Sequence, residues 1–102
     1  MILSIQEEKE NVRVTLGGDI YVQDASTLRE QLLPYAEEGK SNFVFDFSKV
    51  TFIDSAGLGV LVAIYKRAAQ NNGGVRIQNP QPQVAEIFTL TRLHHVFSVD
   101  PS

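Results

Sequence analysis

The chain contains no cysteine and no tryptophan, only two histidines and one methionine, and only nine Lys and Arg residues against twelve Asp and Glu in 102 positions. Each shortage excludes something. Without cysteine there is no disulfide framework and no thiolate metal centre, and a reducing compartment is compatible. The formal net charge is -3 and the cations are scattered along the chain. No basic patch forms, so no nucleic-acid partner is expected. No apolar run approaches the roughly 20 residues of a membrane-crossing helix, so no membrane span is expected. The opening Met1-Ile2-Leu3-Ser4 lacks the basic start and cleavage site of a signal peptide, which makes the cytoplasm the expected location. What is present is an ordinary globular balance, 43% hydrophobic and 21% charged. The length suits one domain, residues 1–102, with one modest core.

Periodicity divides the chain into short elements. Met1, Leu3 and Ile5 alternate with Ile2, Ser4 and Gln6, and Val12, Val14 and Leu16 alternate with Arg13 and Thr15. A period of two fits half-buried strands. The charged stretch Glu7 to Asn11 between them predicts an antiparallel hairpin, and Gly17-Gly18 breaks the pattern. Asp24 is a candidate cap for a helix whose inner face carries Ala25, Leu28, Leu32 and Tyr35, widened by Leu33 and Ala36. Pro34 is expected to loosen its last turn and Gly39 to end it. The apolar run Phe43 to Phe47 suits an interior strand covered on both faces, and Val50 to Ile53 continues it. A helix is predicted from Ser55 or Ala56 to about Asn71, closed by Asn72-Gly73-Gly74. Val75 to Gln78 reads as a strand. Asn79-Pro80-Gln81-Pro82 opens a helix with Val84, Ile87, Phe88 and Thr91 on one face, and Val96 to Val99 closes the chain as a strand. The order β-β-α-β-α-β-α-β predicts an α/β fold, one mixed sheet with helices packed mainly on one face.

The most informative stretch is Phe52-Ile53-Asp54-Ser55-Ala56-Gly57-Leu58-Gly59-Val60-Leu61. A strand ends, and a helix begins at an Asp-Ser pair followed by two glycines. Glycine within a helix costs about 1 kcal/mol relative to alanine, so two in the first turn or so require a reason. Either the helix packs very closely or a partner's backbone approaches. Free amides at a helix start also favour an anion. The plainer reading makes Asp54 or Ser55 a simple cap and the glycines a packing device. Against it, the helix is apolar nearly all round from Ala56 to Tyr65, which predicts exposed apolar side chains, Leu58 among them, of the kind that mark protein contacts.

The run Asp46-Phe47-Ser48-Lys49-Val50-Thr51-Phe52-Ile53-Asp54-Ser55-Ala56-Gly57-Leu58-Gly59 resembles the signature of the bacterial anti-sigma factor antagonists, the STAS domain family. Gly18-Asp19-Ile20 resembles that family's Gly-Glu-Ile/Leu turn, and Gly73-Gly74 and Ile87-Phe88 also match its pattern. The resemblance implies a partner-switching module. Ser55 would be the phosphoacceptor of an ATP-dependent serine kinase that is also the anti-sigma factor. The unmodified form would bind that kinase and free the sigma factor, and a metal-dependent serine phosphatase would restore it. Asp54, Ala56, Gly57, Leu58 and Gly59 would belong to the contacted surface, together with Tyr21. Tyr21 stands where the family often has an aspartate. Thr91-Arg92-Leu93 replaces a common Ser-Gly-Leu, and the C-terminal helix of many members is expected to be missing after Val99.

Two other classes compete. A hydrolase would need a base for Ser55. Gly-x-Ser-x-Gly is absent because position 53 is Ile, and His94 and His95 are adjacent, on a strand pointing to opposite faces. Asp46 and Asp54 could be read as a carboxylate pair, but Asp46 sits in an apolar run. No metal-ligand spacing appears, and neither a metal nor a cofactor is expected. The module is therefore read as a binding protein and not an enzyme. The other class keeps the fold: a STAS scaffold subunit of a stress-signalling assembly, or an accessory subunit of a lipid-transport ATPase.

Overall fold

In the computed structural model, which describes residues 1–101, the alternating segments form a hairpin. Strands β1 (Ile2–Glu8) and β2 (Asn11–Ile20) run antiparallel with Glu8 opposite Asn11. The turn is thus only Lys9-Glu10, with Lys9 at φ 55, the left-handed geometry that two-residue hairpin loops favour. Val12, Val14 and Leu16 are fully buried, as their period requires. The strand does not stop at Gly17-Gly18. It continues to Ile20 through an irregular register, with Gly18 at φ 74 and Gly17 directly under Leu3. The glycines here mark a bend within a strand and not its end.

Helix α1 (Val22–Glu37) begins one turn earlier than Asp24 would have it. Tyr21 is its N-cap, and Asp24, three residues on, accepts the Tyr21 backbone N–H at 2.9 Å. Asp24 is therefore the returning arm of a capping box and not the cap. Leu28, Leu32 and Ala36 are buried, with Ala25, Leu33 and Tyr35 packed beside them. The helix runs through Pro34 and ends before Gly39 at φ 106.

Strand β3 (Asn42–Ile53), helix α2 (Ser55–Gln70), strand β4 (Gly74–Gln78), helix α3 (Pro82–Leu90) and strand β5 (Ser98–Val99) complete the order. The sheet reads β1-β2-β3-β4-β5, parallel from β2 onward. The mixed α/β reading is met. One detail is corrected: β3 is interior in its pairing, but only one of its faces is covered. Phe43, Phe45 and Phe47 are buried under the helices, whereas Val44 and Asp46 face the open side and are half-buried. On that side Arg13 of β2 reaches Gln78 of β4 at 2.8 Å.

Helix α2 packs on β3 and β4 with one side and against α1 with another. This position explains its all-round apolar sequence. Val60, Leu61, Ile64 and Ala68 are buried, and Ala56, Val62, Ala63 and Tyr65 are half-buried. The expected exposed apolar face on α2 is not there. The core beneath α3 is aromatic: Phe88 packs on Phe47 (ring centroids 5.7 Å) and on Phe97 (6.1 Å). Phe97 comes from the turn before β5, which is shorter than the predicted Val96–Val99 strand. His94 and His95 also lie outside any strand. They form a 3-10 turn (Leu93–His95) entered through Arg92 in the left-handed region, with their rings 4.0 Å apart.

Candidate functional site

The parallel strands β2 to β4 end on one edge of the sheet, and the segments that follow them start α1, α2 and α3 there. Because β1 runs the other way, its first residues reach the same edge: the Met1 ammonium donates to the Gly17 carbonyl at 2.7 Å. The edge therefore gathers Met1 and Leu3, the start of α1, and the Asp54-Ser55 start of α2.

Ser55 is the first residue of α2 and is exposed. Asp54 is the N-cap. Its Oδ1 accepts the amides of Ala56 (3.0 Å) and Gly57 (3.2 Å), and its own N–H donates to the Ile20 carbonyl at 3.0 Å. Two consequences follow. The start of α2 is tied to the end of β2, which fixes Ser55 beside Tyr21's segment. The amides that an anion on Ser55 would seek are already occupied by a carboxylate, so the expected bare anion site is filled by Asp54.

The two glycines separate. A Cβ on Gly57 would lie 2.8 Å from Ile53 Cγ1 and 3.0 Å from Ile20 Cγ2, whereas one on Gly59 would meet nothing within 4 Å. Gly57 is there for packing of α2 on the strand ends. Gly59 is exposed and leaves room for an approaching surface. Leu58, expected to be partly exposed, is 7% exposed and belongs to the core. Ala56 is half-buried.

The exposed apolar residues lie beside α2 instead. Phe52 (38% exposed) stacks with Tyr21 (40% exposed), ring centroids 5.5 Å apart, and Val22 next to it is 67% exposed. The sequence reading placed Phe52 in the apolar continuation of the strand without assigning it a face, and the register shows why it turns outward. Thr15 faces Asp46 but Gly17 faces Lys49, and Gly18 faces Val50 but Asp19 faces Phe52. β3 carries an extra residue at each shift, so its inward positions pass from Phe47 to Val50 to Ile53 and Phe52 turns outward. Asp46 fastens the first bulge by accepting the Ser48 backbone N–H at 2.9 Å, and that bond holds its carboxyl below the usual carboxylate range.

Asp19 was not singled out from the sequence beyond its place in a turn. It joins the two strand ends: Thr51 Oγ1 donates to its Oδ1, and Tyr21 donates to its Oδ2 at 3.3 Å. The Asp19 carboxylate pushes the Tyr21 phenol above its ordinary value, with a smaller contribution from Asp54. His94 and His95 sit before β5, at the opposite edge of the parallel sheet from Ser55, and His94 Nδ1 lies 3.3 Å from the Phe88 carbonyl. Nothing at that position can act as a base on Ser55. Among the described residues no three metal-ligating side chains cluster, and no helix is long and apolar enough to cross a membrane.

The STAS domain family model matches residues 3–102. The anti-sigma-B factor antagonist of Bacillus subtilis is 28% identical over 97 residues, covering 95% of this chain and 88% of its own length. The fold is shared with the Bacillus anti-sigma factor antagonist SpoIIAA. Its unphosphorylated form superposes with a TM-score of 0.86 at 18% identity over 100% of this chain and 90% of that one, and its phosphorylated form with 0.77 at 17% over 100% and 93%. An anti-sigma factor antagonist from Mycobacterium paratuberculosis gives 0.81 at 25% identity over 100% and 86%.

Proposed function

Because the chain belongs to the STAS domain family, we propose that residues 1–102 act as one partner-switching unit, an anti-sigma factor antagonist working in the cytoplasm. In its unmodified form it binds an anti-sigma factor that is also a serine kinase, and the sigma factor is released. The observation that carries this reading is the exposed Ser55 at the head of α2, next to the strand end where the exposed rings of Tyr21 and Phe52 stack. SpoIIAA, which shares the fold, occurs in unphosphorylated and phosphorylated forms.

Ser55 is the phosphoacceptor in this reading, and the mechanism is electrostatic. A neutral hydroxyl can lie under a partner at little cost. A phosphoserine brings roughly -1.5 to -2 charges. Here the Ala56 and Gly57 amides are taken by Asp54, so the phosphate is not absorbed into the helix start. It projects outward next to the Asp54 carboxylate, and a partner seated there would have to bury it. A metal-dependent serine phosphatase restores the binding form. Asp54, Ala56, Gly57, Gly59 and Tyr21 shape the contact, and Leu58 supports it from the core. The domain acts by binding and does no chemistry of its own.

The test is to incubate the protein with the anti-sigma factor kinase of its own genome and ATP, and to map the modified residue by mass spectrometry. Label on Ser55, lost in Ser55→Ala, supports the reading; label at Ser48 or Ser26 overturns the assignment. Tyr21 in place of an acid favours a second reading, in which Ser55 stays unmodified and the module is a scaffold of a stress-signalling assembly or a subunit of a lipid-transport ATPase. Binding to the kinase without any phosphate transfer would support that one.

A further inference from the structure

Helix α2 ends in a way that fixes two neighbouring residue types. Asn72 stands in the left-handed region at φ 64. Its N–H donates to the Ala69 carbonyl at 3.0 Å, and the Gly73 N–H donates to the Ala68 carbonyl at 2.9 Å. These two bonds close a Schellman turn, whose left-handed position takes glycine or asparagine and few other residues. Gly73 admits no side chain at all. A Cβ there would overlap the Ser41 carbonyl oxygen, to which the Gly74 N–H donates at 2.9 Å. The turn and the approach to Ser41 thus demand Asn72-Gly73 together. Of the asparagines Asn11, Asn42, Asn71, Asn72 and Asn79, only Asn72 precedes a glycine. Asparagine before glycine is the pairing most open to loss of its side-chain amide, because no Cβ shields the glycine nitrogen.

We infer that Asn72 is a deamidation site that the folded domain holds shut, modified only when the end of α2 opens. In that reaction the Gly73 nitrogen, having lost its proton to hydroxide, attacks the Asn72 Cγ. The N–Cγ bond forms, the Cγ–Nδ2 bond breaks, and the side-chain nitrogen leaves as ammonia with a proton from water. Water then opens the cyclic imide, and no oxidant or reductant takes part. Opening at Cγ gives an ordinary aspartate. Opening at the backbone carbonyl gives an isoaspartate, whose main chain runs through Cβ and Cγ and is one atom longer. The fold opposes the first step twice. The Gly73 N–H is committed to the carbonyl of buried Ala68 and keeps its proton. Closing the imide ring also needs Asn72 out of the left-handed conformation in which the two turn bonds hold it. Asn72 itself is exposed, so water is not what is lacking. Release requires the end of α2 to part from Ser41 and from its own last turn, a local opening. The two products then differ. An aspartate keeps the backbone and tolerates the left-handed region. The longer isoaspartate backbone cannot return the Gly73 N–H to Ala68 while seating Gly73 against Ser41.

The test ages the whole protein at mildly alkaline pH, folded and in guanidinium chloride. Residue 72 is followed by peptide mapping with mass spectrometry that separates aspartate from isoaspartate. The folded parent is expected to lose the Asn72 amide at least about tenfold more slowly than the unfolded chain. Equal rates in the two conditions overturn the gate. An unfolded chain that keeps its Asn72 amide, or that loses the amide of Asn11, Asn42, Asn71 or Asn79 first, overturns the site. Asn72→Gly suits the left-handed position, so it is expected to fold as the parent does and to lack the early release of ammonia. Release that persists in this variant also overturns the site. After refolding, the isoaspartate fraction is expected to show a lower guanidinium midpoint than the parent, with Asn72→Asp close to the parent. An isoaspartate midpoint equal to the parent's overturns the close fit against Ser41. An Asn72→Asp midpoint as low as that of the isoaspartate fraction assigns the loss to charge and overturns it too.

Discussion

Gly57 and Gly59 look alike in the sequence and do opposite work. Any side chain at Gly57 must displace Ile53 or Ile20, both fully or nearly fully buried. Gly57→Ala is expected to destabilise the domain by about 1–3 kcal/mol, the usual cost of overpacking. Gly59→Ala meets open space inside a helix and is expected to stabilise it by roughly 0.5–1 kcal/mol. Urea titrations of the two variants check the pair, and equal effects would mean that neither glycine is held by packing. If Gly59 serves close approach of the partner, the same Gly59→Ala variant is more stable yet binds the anti-sigma factor less well, a split that pure packing does not produce. The sequence pointed to both glycines as exceptional. Only the neighbours of each backbone position could tell which was which.

At the scale of elements, order and type were legible because each segment carries one period. β2 alternates, α1 repeats its leucines at helical spacing, and the aromatic run of β3 is bounded by polar residues. What escaped were the places where one residue too many enters a strand. Two bulges in β3 shift its inward positions and expose Phe52, and a two-residue-per-turn reading has no means of seeing an extra residue. The same blindness made Gly17-Gly18 an end. Of the candidate site, the motif foresaw that Asp54 and Ser55 stand at the start of α2, but the apolar surface was assigned to α2 because the burial of that helix is a tertiary fact. Asp46 gives the first bulge a measurable signature. Its folded pKa is depressed by the bond from Ser48, so its contribution is present above the unfolded carboxylate pKa and is lost as pH falls through the lower folded value. Asp46→Asn is expected to be less stable than the parent at pH 6, with the gap shrinking below about pH 4. Urea midpoints measured against pH check this. A gap that stays constant down to pH 2 would show that the carboxylate charge contributes nothing to the bulge.

For the whole molecule, the question is whether the phosphate proposed for Ser55 would change the fold or only the surface. The core is a single layer of apolar side chains between the helices and one sheet face, and Ser55 lies outside it. Its link inward runs through Asp54, which holds two α2 amides and the end of β2 together. A phosphate could perturb the fold only by taking those amides from Asp54. That exchange replaces one anionic cap by another and leaves the buried contacts of Val60, Leu61 and Ile64 as they were. Phosphorylation is therefore expected to move amide resonances of Tyr21, Val22 and Phe52 to Gly59, and to leave Val14 in β2 and Ile77 in β4 in place. Affinity for the anti-sigma factor should fall by about a hundredfold or more, the size of a few kcal/mol of charge burial. Ser55→Asp should lower it less, since it adds one charge on a shorter arm. Asp54→Ala separates the contributions. Removing the cap should cost about 1 kcal/mol of stability in the unmodified protein, and less once a phosphate is present to take the freed amides. Paired spectra and denaturation curves of the two forms read this directly. An Asp54→Ala cost that is the same with and without phosphate would show that the phosphate does not take the freed amides at the start of α2, and shifts spreading through the sheet to Val14 and Ile77 would show that the switch works by rearranging the domain.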